Sequence, residues 1–390
     1  MKKQVYLDYA AATPLDPSVI KAMAPYFADN FYNPSAIYLG GRTARQALEK
    51  ARATIARNLG AKPAEIVFTA GATEANNLAI QGVMRSYPDG EILVSAIEHE
   101  SVLGPAGLFK CREIPVDQNG RVVLKELEKM INTRTVLISV GLVNNEIGTT
   151  QSLKDISNLL KAVKIHRERI HGASKLPLYL HTDAAQAPSY FDLHVSRLGV
   201  DLLTINGAKI YGPKQSGALY IKAGTKLQPL ILGGGQESNL RSGTENVAAA
   251  IGLATVLDKV QQARIKEFRR VASLRELFLD GLAKIPGASV NGSQKYVSPH
   301  IVSVKLAGHD NERLMMELDE RGVQVAVGSA CSALRQTAQG SASGDKPSHV
   351  LSAIGLSDEE ARSTLRFSFG RQTTKPDIET ALRLLRDLTS

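Results

Sequence analysis

Strand-like apolar segments alternate with helical segments along most of this chain, from about residue 42 to residue 257, and this alternation limits the folds open to it. The helical pattern over Arg42–Leu59 is followed by Gly60, a common helix stop. The predicted strands are 65–69, 91–95, 135–140, 178–182, 202–205 and 218–221. Such alternation predicts an α/β fold with a mostly parallel sheet.

The pattern changes in the charged stretch Lys259–Arg270. Beyond it we expect a helix, a strand over Ile301–Lys305, a helix near Asn311–Arg321 and a final helix that reaches Leu388. We therefore predict two domains. The large domain comprises residues 15–257, and a smaller α+β domain comprises residues 1–14 plus 258–390 and carries the loop around Cys331.

Composition excludes several classes of protein. The chain has 390 residues, a net charge of +9 and two cysteines, Cys111 and Cys331, too few for a disulfide framework or a thiolate-bound metal site. No apolar run is long enough to span a bilayer, and the first residues lack the pattern of a signal peptide. We expect a cytoplasmic protein without membrane contact, without a metal site and, despite its basic surface, without a specific nucleic-acid partner.

Three polar groups follow predicted strands, and ligands bind at the carboxyl ends of strands in such sheets. Gly71-Ala72-Thr73 opens a helix and could hold a phosphate, although many turns in α/β proteins look alike. Asp183 could pair with a protonated ring nitrogen or simply cap a helix. Lys209 could form a Schiff base or lie on the surface as an ordinary charge. Together, in this order, they indicate a pyridoxal-phosphate site.

Cys331 lies among small residues, in Gly328-Ser329-Ala330-Cys331-Ser332, just before the polar stretch 339–345. Structural cysteines are usually buried in apolar elements, so this setting favours an exposed, reactive thiol. Cys111 lies beside strand-like residues and is interpreted as structural.

At this point the chain resembles the cysteine desulfurases of the iron–sulfur-cluster-assembly group, which belong to the class-V aminotransferases. The matching segments are 7–14, 71–74, 98–99, 144–148, 183–186, 209–214, 241–244, 328–331 and 366–371. The resemblance implies a fold-type-I pyridoxal-phosphate transferase that works as a homodimer and removes sulfur from L-cysteine. It also implies a sulfur-acceptor or scaffold protein as a partner.

The resemblance assigns roles around the cofactor ring. Lys209 would carry the cofactor as a Schiff base and act as the base at Cα. His99 would stack on the ring and could move protons. Asp183 would pair with the ring nitrogen, and Gln186 with the ring hydroxyl.

It also assigns the phosphate end of the cofactor. Ala72 and Thr73 would hold the phosphate, and Thr244 would reach it from the other subunit. Members usually have histidine where this chain has Ala208, so one side-chain donor to the phosphate is missing. Asn206, close by, can still donate through its amide.

The resemblance assigns the substrate end as well. Asn145, which also borders the cofactor, and Arg366 would bind the substrate carboxylate, for which the guanidinium fork is well shaped. Cys331 would attack the substrate sulfur and become a persulfide on the enzyme, with release of alanine. The segment between Cys331 and Pro347 is longer than is usual in the family.

Two alternatives remain at this level. Another enzyme of the same fold, an aminotransferase or a selenocysteine lyase, would share most of these residues, since one fold hosts many reactions. Cys331 argues against an aminotransferase, which has no need of it. A weakly active homologue that binds a partner is favoured only by Ala208.

Overall fold

The computed structural model describes residues 4–171, 176–328 and 347–390; Cys331 and the loop predicted around it lie outside these ranges. The strands are β1 Val5–Tyr6, β2 Ile66–Thr69, β3 Glu91–Ser95, β4 Cys111–Ile114, β5 Thr135–Ser139, β6 Tyr179–Asp183, β7 Leu202–Asn206, β8 Gly217–Ile221, β9 Ala288–Val290, β10 Ile301–Leu306, β11 Val323–Gln324 and β12 Thr364–Ser368. The helices are α1 Pro17–Met23, α2 Leu39–Leu59, α3 Ala72–Ser86, α4 Glu100–Ala106, α5 Leu124–Met130, α6 Leu153–His171, α7 Val195–Leu198, α8 Val247–Leu282, α9 Asn311–Glu320, α10 His349–Ala353, α11 Asp358–Arg362 and α12 Lys375–Thr389.

Seven strands form the central sheet, in the order β2-β8-β7-β6-β5-β3-β4. Within this sheet only β8 runs against its neighbours, β2 and β7. The inner strands are buried on both faces, which is why they appear in the sequence as apolar runs without alternation. The predicted α/β class with a mostly parallel sheet is confirmed.

Local signals set the ends of these elements. Helix α2 ends where Gly60 takes a left-handed conformation, with φ of +63°. The N–H of Gly60 donates to the carbonyls of Ala56 and Arg57 in the last turn. The helix begins at Leu39, three residues before its predicted start. The prediction missed this first turn because Leu39 is exposed and lies outside the apolar stripe. Helix ends are the least certain part of any prediction from periodicity.

A second, smaller layer follows. Strands β12, β10 and β9 form an antiparallel sheet, and β1 pairs with β11. Their core includes three buried phenylalanines, Phe278, Phe367 and Phe369, with Phe278 in contact with both others. Val5 and Leu7 belong to this core, whereas the strands of the central sheet do not.

Helix α8 runs through the predicted domain boundary. It is continuous for 36 residues, and its buried residues up to Val260 pack with the central sheet while those from Val271 pack with the smaller sheet. The division at residues 257 and 258 stays a prediction. None of the helices that the structure describes is long and apolar enough to cross a membrane.

Candidate active site

A cavity of about 250 Å³ lies at the carboxyl ends of the central strands. This is the edge of the sheet at which parallel α/β folds bind ligands. Nine of the residues predicted from the sequence line it: Ala72, Thr73, His99, Asn145, Asp183, Gln186, Asn206, Lys209 and Arg366. They come from segments far apart in the chain, and the sheet brings them together.

Lys209 lies in a 3₁₀ turn directly after β7. Its Nζ donates to the carbonyl of Ala11, at 2.6 Å. Asn206 stabilises the turn because its Oδ1 accepts from the N–H of Ala208, at 3.2 Å. Tyr211, just beyond, has a φ of +69°, a conformation that few side chains adopt and that often occurs near functional sites. Its hydroxyl accepts from the N–H of Arg371, at 2.6 Å, which helps to hold the turn.

Asp183 ends strand β6 and keeps its carboxylate in place through two donors. Oδ1 accepts from the N–H of Ala185, at 2.8 Å, and Oδ2 accepts from the amide of Asn76, at 2.7 Å. A carboxylate offers more acceptor positions than these two bonds use. It can therefore still accept from a group inside the cavity.

Asn76 also orients His99. The amide nitrogen of this fully buried residue donates to the hydroxyl of Ser101 as well, at 2.9 Å. That hydroxyl lies 2.9 Å from Nδ1 of His99, which also accepts from the N–H of Ser101, at 3.0 Å. Since Nδ1 is an acceptor, the proton of the neutral ring lies on Nε2.

Helix α3 begins at the cavity without a side-chain cap. Gly71 has a φ of +110°, which glycine adopts without strain, and its conformation turns the chain from β2 into the helix. The first N–H groups of α3 are therefore open to an anion, with Thr73 exposed beside them.

Glu98 is a buried carboxyl on the wall of the cavity. Its Oε1 accepts from the N–H of Gly141, at 2.6 Å. Burial, together with the nearby charge of Asp183, raises the pKa of Glu98 to about 8. Glu98 is therefore mostly protonated at neutral pH, and Asp183 carries the negative charge at this end of the cavity.

Arg366, from β12, also lines the cavity and is only 3 % exposed. Its Nη1 donates to the carbonyl of Asn145, at 3.0 Å, and its Nη2 pairs with Asp8, at 2.7 Å. Nε is buried and has no hydrogen-bond partner among the described residues. Arg366 nevertheless lines the cavity, and its positive charge suits an anionic ligand there.

These groups fit pyridoxal phosphate. The cavity holds the carboxylate of Asp183 for a ring N–H, the amine of Lys209 for the aldehyde and the amide of Gln186 for the ring hydroxyl. The uncapped start of α3 is suited to the phosphate. Arg366 adds a positive charge for a substrate carboxylate. Among the described residues no group of three His, Cys, Asp or Glu side chains could hold a metal ion.

Two predicted residues do not meet the others here. Thr244 is exposed and lines a separate cavity with Arg241 and Phe68. Cys331 lies outside the described residues. Cys111 starts β4 and does not line the main cavity, and burial raises the pKa of its thiol to about 11. It is therefore a poor nucleophile.

Sequence reasoning missed the residues that support the site: Asn76, Ser101, Glu98, His300 and Asp8. Asn76 offered one signal, because it is an amide between apolar positions of a helix. Ser101 lies only two residues from His99, but its contact with Asn76 and the partners of Glu98, His300 and Asp8 lie too far away in sequence to be inferred.

Comparisons with known proteins agree with this geometry. Residues 5–381 match the family model described as aminotransferase class-V. A relative named cysteine desulfurase IscS, from Dictyoglomus turgidum, is 41 % identical over 99 % of this chain and 94 % of its own length.

Solved structures agree as well. One described as a NifS-like protein has a TM-score of 0.88 and 29 % identity, and the match covers 99 % of each chain. Another, described as SspA in complex with cysteine, has a TM-score of 0.78 and 34 % identity, over 93 % of this chain and 98 % of that one. The resemblance seen in the sequence, and the fold it implied, are confirmed.

Proposed function

This chain belongs to the class-V aminotransferase family, among relatives named cysteine desulfurases, and on that premise we propose that it is a pyridoxal-phosphate-dependent cysteine desulfurase. One observation carries the proposal. A single cavity is lined by Lys209 and Asp183, which suit the cofactor ring, and by Arg366 and Asn145, which suit an amino-acid carboxylate. A solved relative is described in complex with cysteine.

Pyridoxal phosphate, when bound, supplies an electron sink for the negative charge left at Cα. Asp183 keeps a proton on the ring nitrogen, and Asn76 keeps Asp183 in place. Lys209 removes the proton from Cα of the substrate. Arg366 orients the substrate carboxylate, so that the Cα–H bond faces Lys209.

The sulfur step requires a thiolate, and Cys331 is the residue proposed for it. Its Sγ forms a bond to the substrate sulfur while the Cβ–S bond of the substrate breaks. Cys331 then carries a persulfide, and a proton added at Cβ together with the proton that Lys209 returns to Cα gives alanine. An external thiol reductant regenerates the cysteine and releases sulfide, so that one cysteine yields one alanine and one sulfide.

The test is to incubate the purified protein with pyridoxal phosphate, L-cysteine and a thiol reductant, and to measure alanine and sulfide together. We expect equal amounts of both. The Cys331→Ser variant should bind cysteine but release little sulfide, whereas Cys111→Ser is the matched control and should remain active. Transfer of the amino group to a keto acid without sulfide release would instead identify an aminotransferase. Activity confined to selenocysteine would identify a lyase.

The proposal includes a homodimer in which Thr244 reaches the cofactor phosphate of the partner subunit. Thr244 is exposed and lies away from the main cavity of its own chain. Its loop is closed by a hydrogen bond from Ser242 to Ile231, at 3.1 Å, and presents Leu232, which is 80 % exposed. Ile37 is 90 % exposed. Apolar side chains this exposed support a covered interface.

The dimer can be tested by changing Leu232 to aspartate. Leu232→Asp should shift the protein to a monomer in analytical ultracentrifugation and weaken cofactor binding. Leu108→Asp, at another exposed leucine outside this loop, is the control. A wild-type monomer with full cofactor affinity would exclude the arrangement. A cytoplasmic location and a protein acceptor for the sulfur complete the proposal.

A further inference from the structure

His300 is a buried histidine that none of the steps above uses. It is 4 % exposed, directly before β10, and its ring stacks on Tyr190 with the centroids 4.5 Å apart. Nδ1 lies 2.7 Å from the hydroxyl of Ser298, and Nε2 lies 3.2 Å from Oε1 of Gln186. Gln186 in turn lines the main cavity.

The direction of these hydrogen bonds follows from a carbonyl group. The side-chain nitrogen of Gln186 lies 2.9 Å from the carbonyl oxygen of Ala10, which can only accept. The amide of Gln186 must therefore present its NH₂ group to Ala10 and its oxygen to His300. That oxygen is also only an acceptor, so Nε2 of His300 carries the proton. Nδ1 then accepts from Ser298.

The protonation state agrees with this assignment. Burial, together with the positive charge of Arg366, lowers the pKa of His300 to about 3. The ring is therefore neutral at physiological pH and has a single N–H to donate. The interaction with Gln186 fixes where that proton lies.

We propose that His300 is a positioning residue that locks the amide of Gln186, so that its second N–H faces the cavity and donates to the ring oxygen of the cofactor. The amide nitrogen has two hydrogens, of which Ala10 takes one. If the amide rotated by 180°, it would present its oxygen to an ionised ring oxygen and repel it. Rotation would also bring the amide oxygen against the carbonyl of Ala10 and the NH₂ group against the N–H of His300, so His300 acts together with Ala10 to hold the amide. The inference rests on the proposed cofactor.

Two substitutions separate positioning from packing. His300→Phe keeps a ring to stack on Tyr190 but removes the donor. His300→Gln keeps a donor near the position of Nε2 but removes the ring. A positioning role predicts that phenylalanine is the harmful change and that glutamine restores function, whereas a packing role predicts the reverse.

The readouts are equilibrium binding of pyridoxal phosphate, the pH titration of its visible absorption in the loaded protein, and urea unfolding of the protein without cofactor. For His300→Phe we expect about tenfold weaker cofactor binding, the equivalent of one hydrogen bond. We also expect the absorption transition at higher pH, because the ionised ring oxygen loses a donor. His300→Gln should resemble the wild type in both.

Three results would overturn the inference. If His300→Phe matches the wild type in binding and in the absorption transition, the residue does not position Gln186. If glutamine fails to rescue and both variants change only the unfolding, the role is one of packing. If the wild type takes up no pyridoxal phosphate, the proposed function fails and this inference fails with it. The first two results leave the proposed function standing.

Discussion

The Glu98→Gln substitution should remove a pH dependence of stability that this one buried carboxyl imposes. The structure encloses Glu98 completely, gives it one donor, the N–H of Gly141, and places it near the charge of Asp183. These surroundings raise its pKa from 4.5 to about 8. Glutamine can still accept from Gly141 and does not titrate, so the two proteins differ mainly in this proton.

The sign follows from proton linkage. Between pH 4.5 and pH 8 the folded protein keeps a proton on Glu98 that the unfolded chain has released. The contribution of Glu98 to the free energy of unfolding therefore falls as pH rises through that window, by about 1.4 kcal/mol per pH unit. It is fully present below pH 4.5 and levels off above pH 8. Over the whole window the upper bound is on the order of 5 kcal/mol.

The assay is urea unfolding of the cofactor-free protein at several pH values between 5 and 9, because bound cofactor would add its own stabilisation. The advantage of Glu98→Gln over the wild type should grow with pH up to about 8 and then stay constant. Glu128→Gln, at an exposed glutamate of α5, should run parallel to the wild type. If Glu98→Gln also runs parallel to the wild type, Glu98 ionises normally and the reasoning from burial is wrong.

Three further substitutions test the site itself. Lys209→Ala should abolish alanine release and the visible absorption of lysine-bound cofactor; normal alanine production would exclude Lys209 as the base. Ala208→His should strengthen cofactor binding by about 1–3 kcal/mol, the order of one charged hydrogen bond, measured by equilibrium dialysis. Unchanged affinity would mean that another group already fills this role. Arg366→Lys should raise KM for L-cysteine about tenfold, because lysine cannot keep the contacts of the planar guanidinium with Asn145 and Asp8 that fix the positive charge in place, with a smaller effect on kcat. An unchanged KM would place the carboxylate elsewhere.

The sheet could be predicted because its signals are local. The strand Glu91–Ser95 has the bounds expected from its apolar run, and Gly60 ends α2 as expected. The reversed direction of β8 could not be read in the same way, because a buried strand has the same composition whichever way it runs. The continuity of α8 could not be predicted from the sequence either. The sequence predicts a domain boundary at its charged stretch, Lys259–Arg270, and the structure has uninterrupted helix there.

The residues of the site could be named from the sequence, but not the bonds that orient them. Asp183 and Asn76 are 107 residues apart, and Gln186 and His300 are 114 apart. Nothing local in the sequence marks these pairs. A buried amide or histidine also differs from an ordinary core residue only through the partner that the fold brings to it.

The segment from Leu7 to Thr13 explains why both layers of the fold are needed for one site. Leu7 packs in the core of the smaller layer, whereas the carbonyls of Ala10 and Ala11 accept from Gln186 and Lys209 at the end of the central sheet. Gln186 and Lys209, which lie at the end of the central sheet, are thus held by the backbone of a segment that packs in the core of the smaller sheet. Local release of this segment would remove one hydrogen bond from Lys209 and one from Gln186 together. The geometry of the cavity therefore depends on the packing of the small layer, although most residues that line the cavity come from the large one.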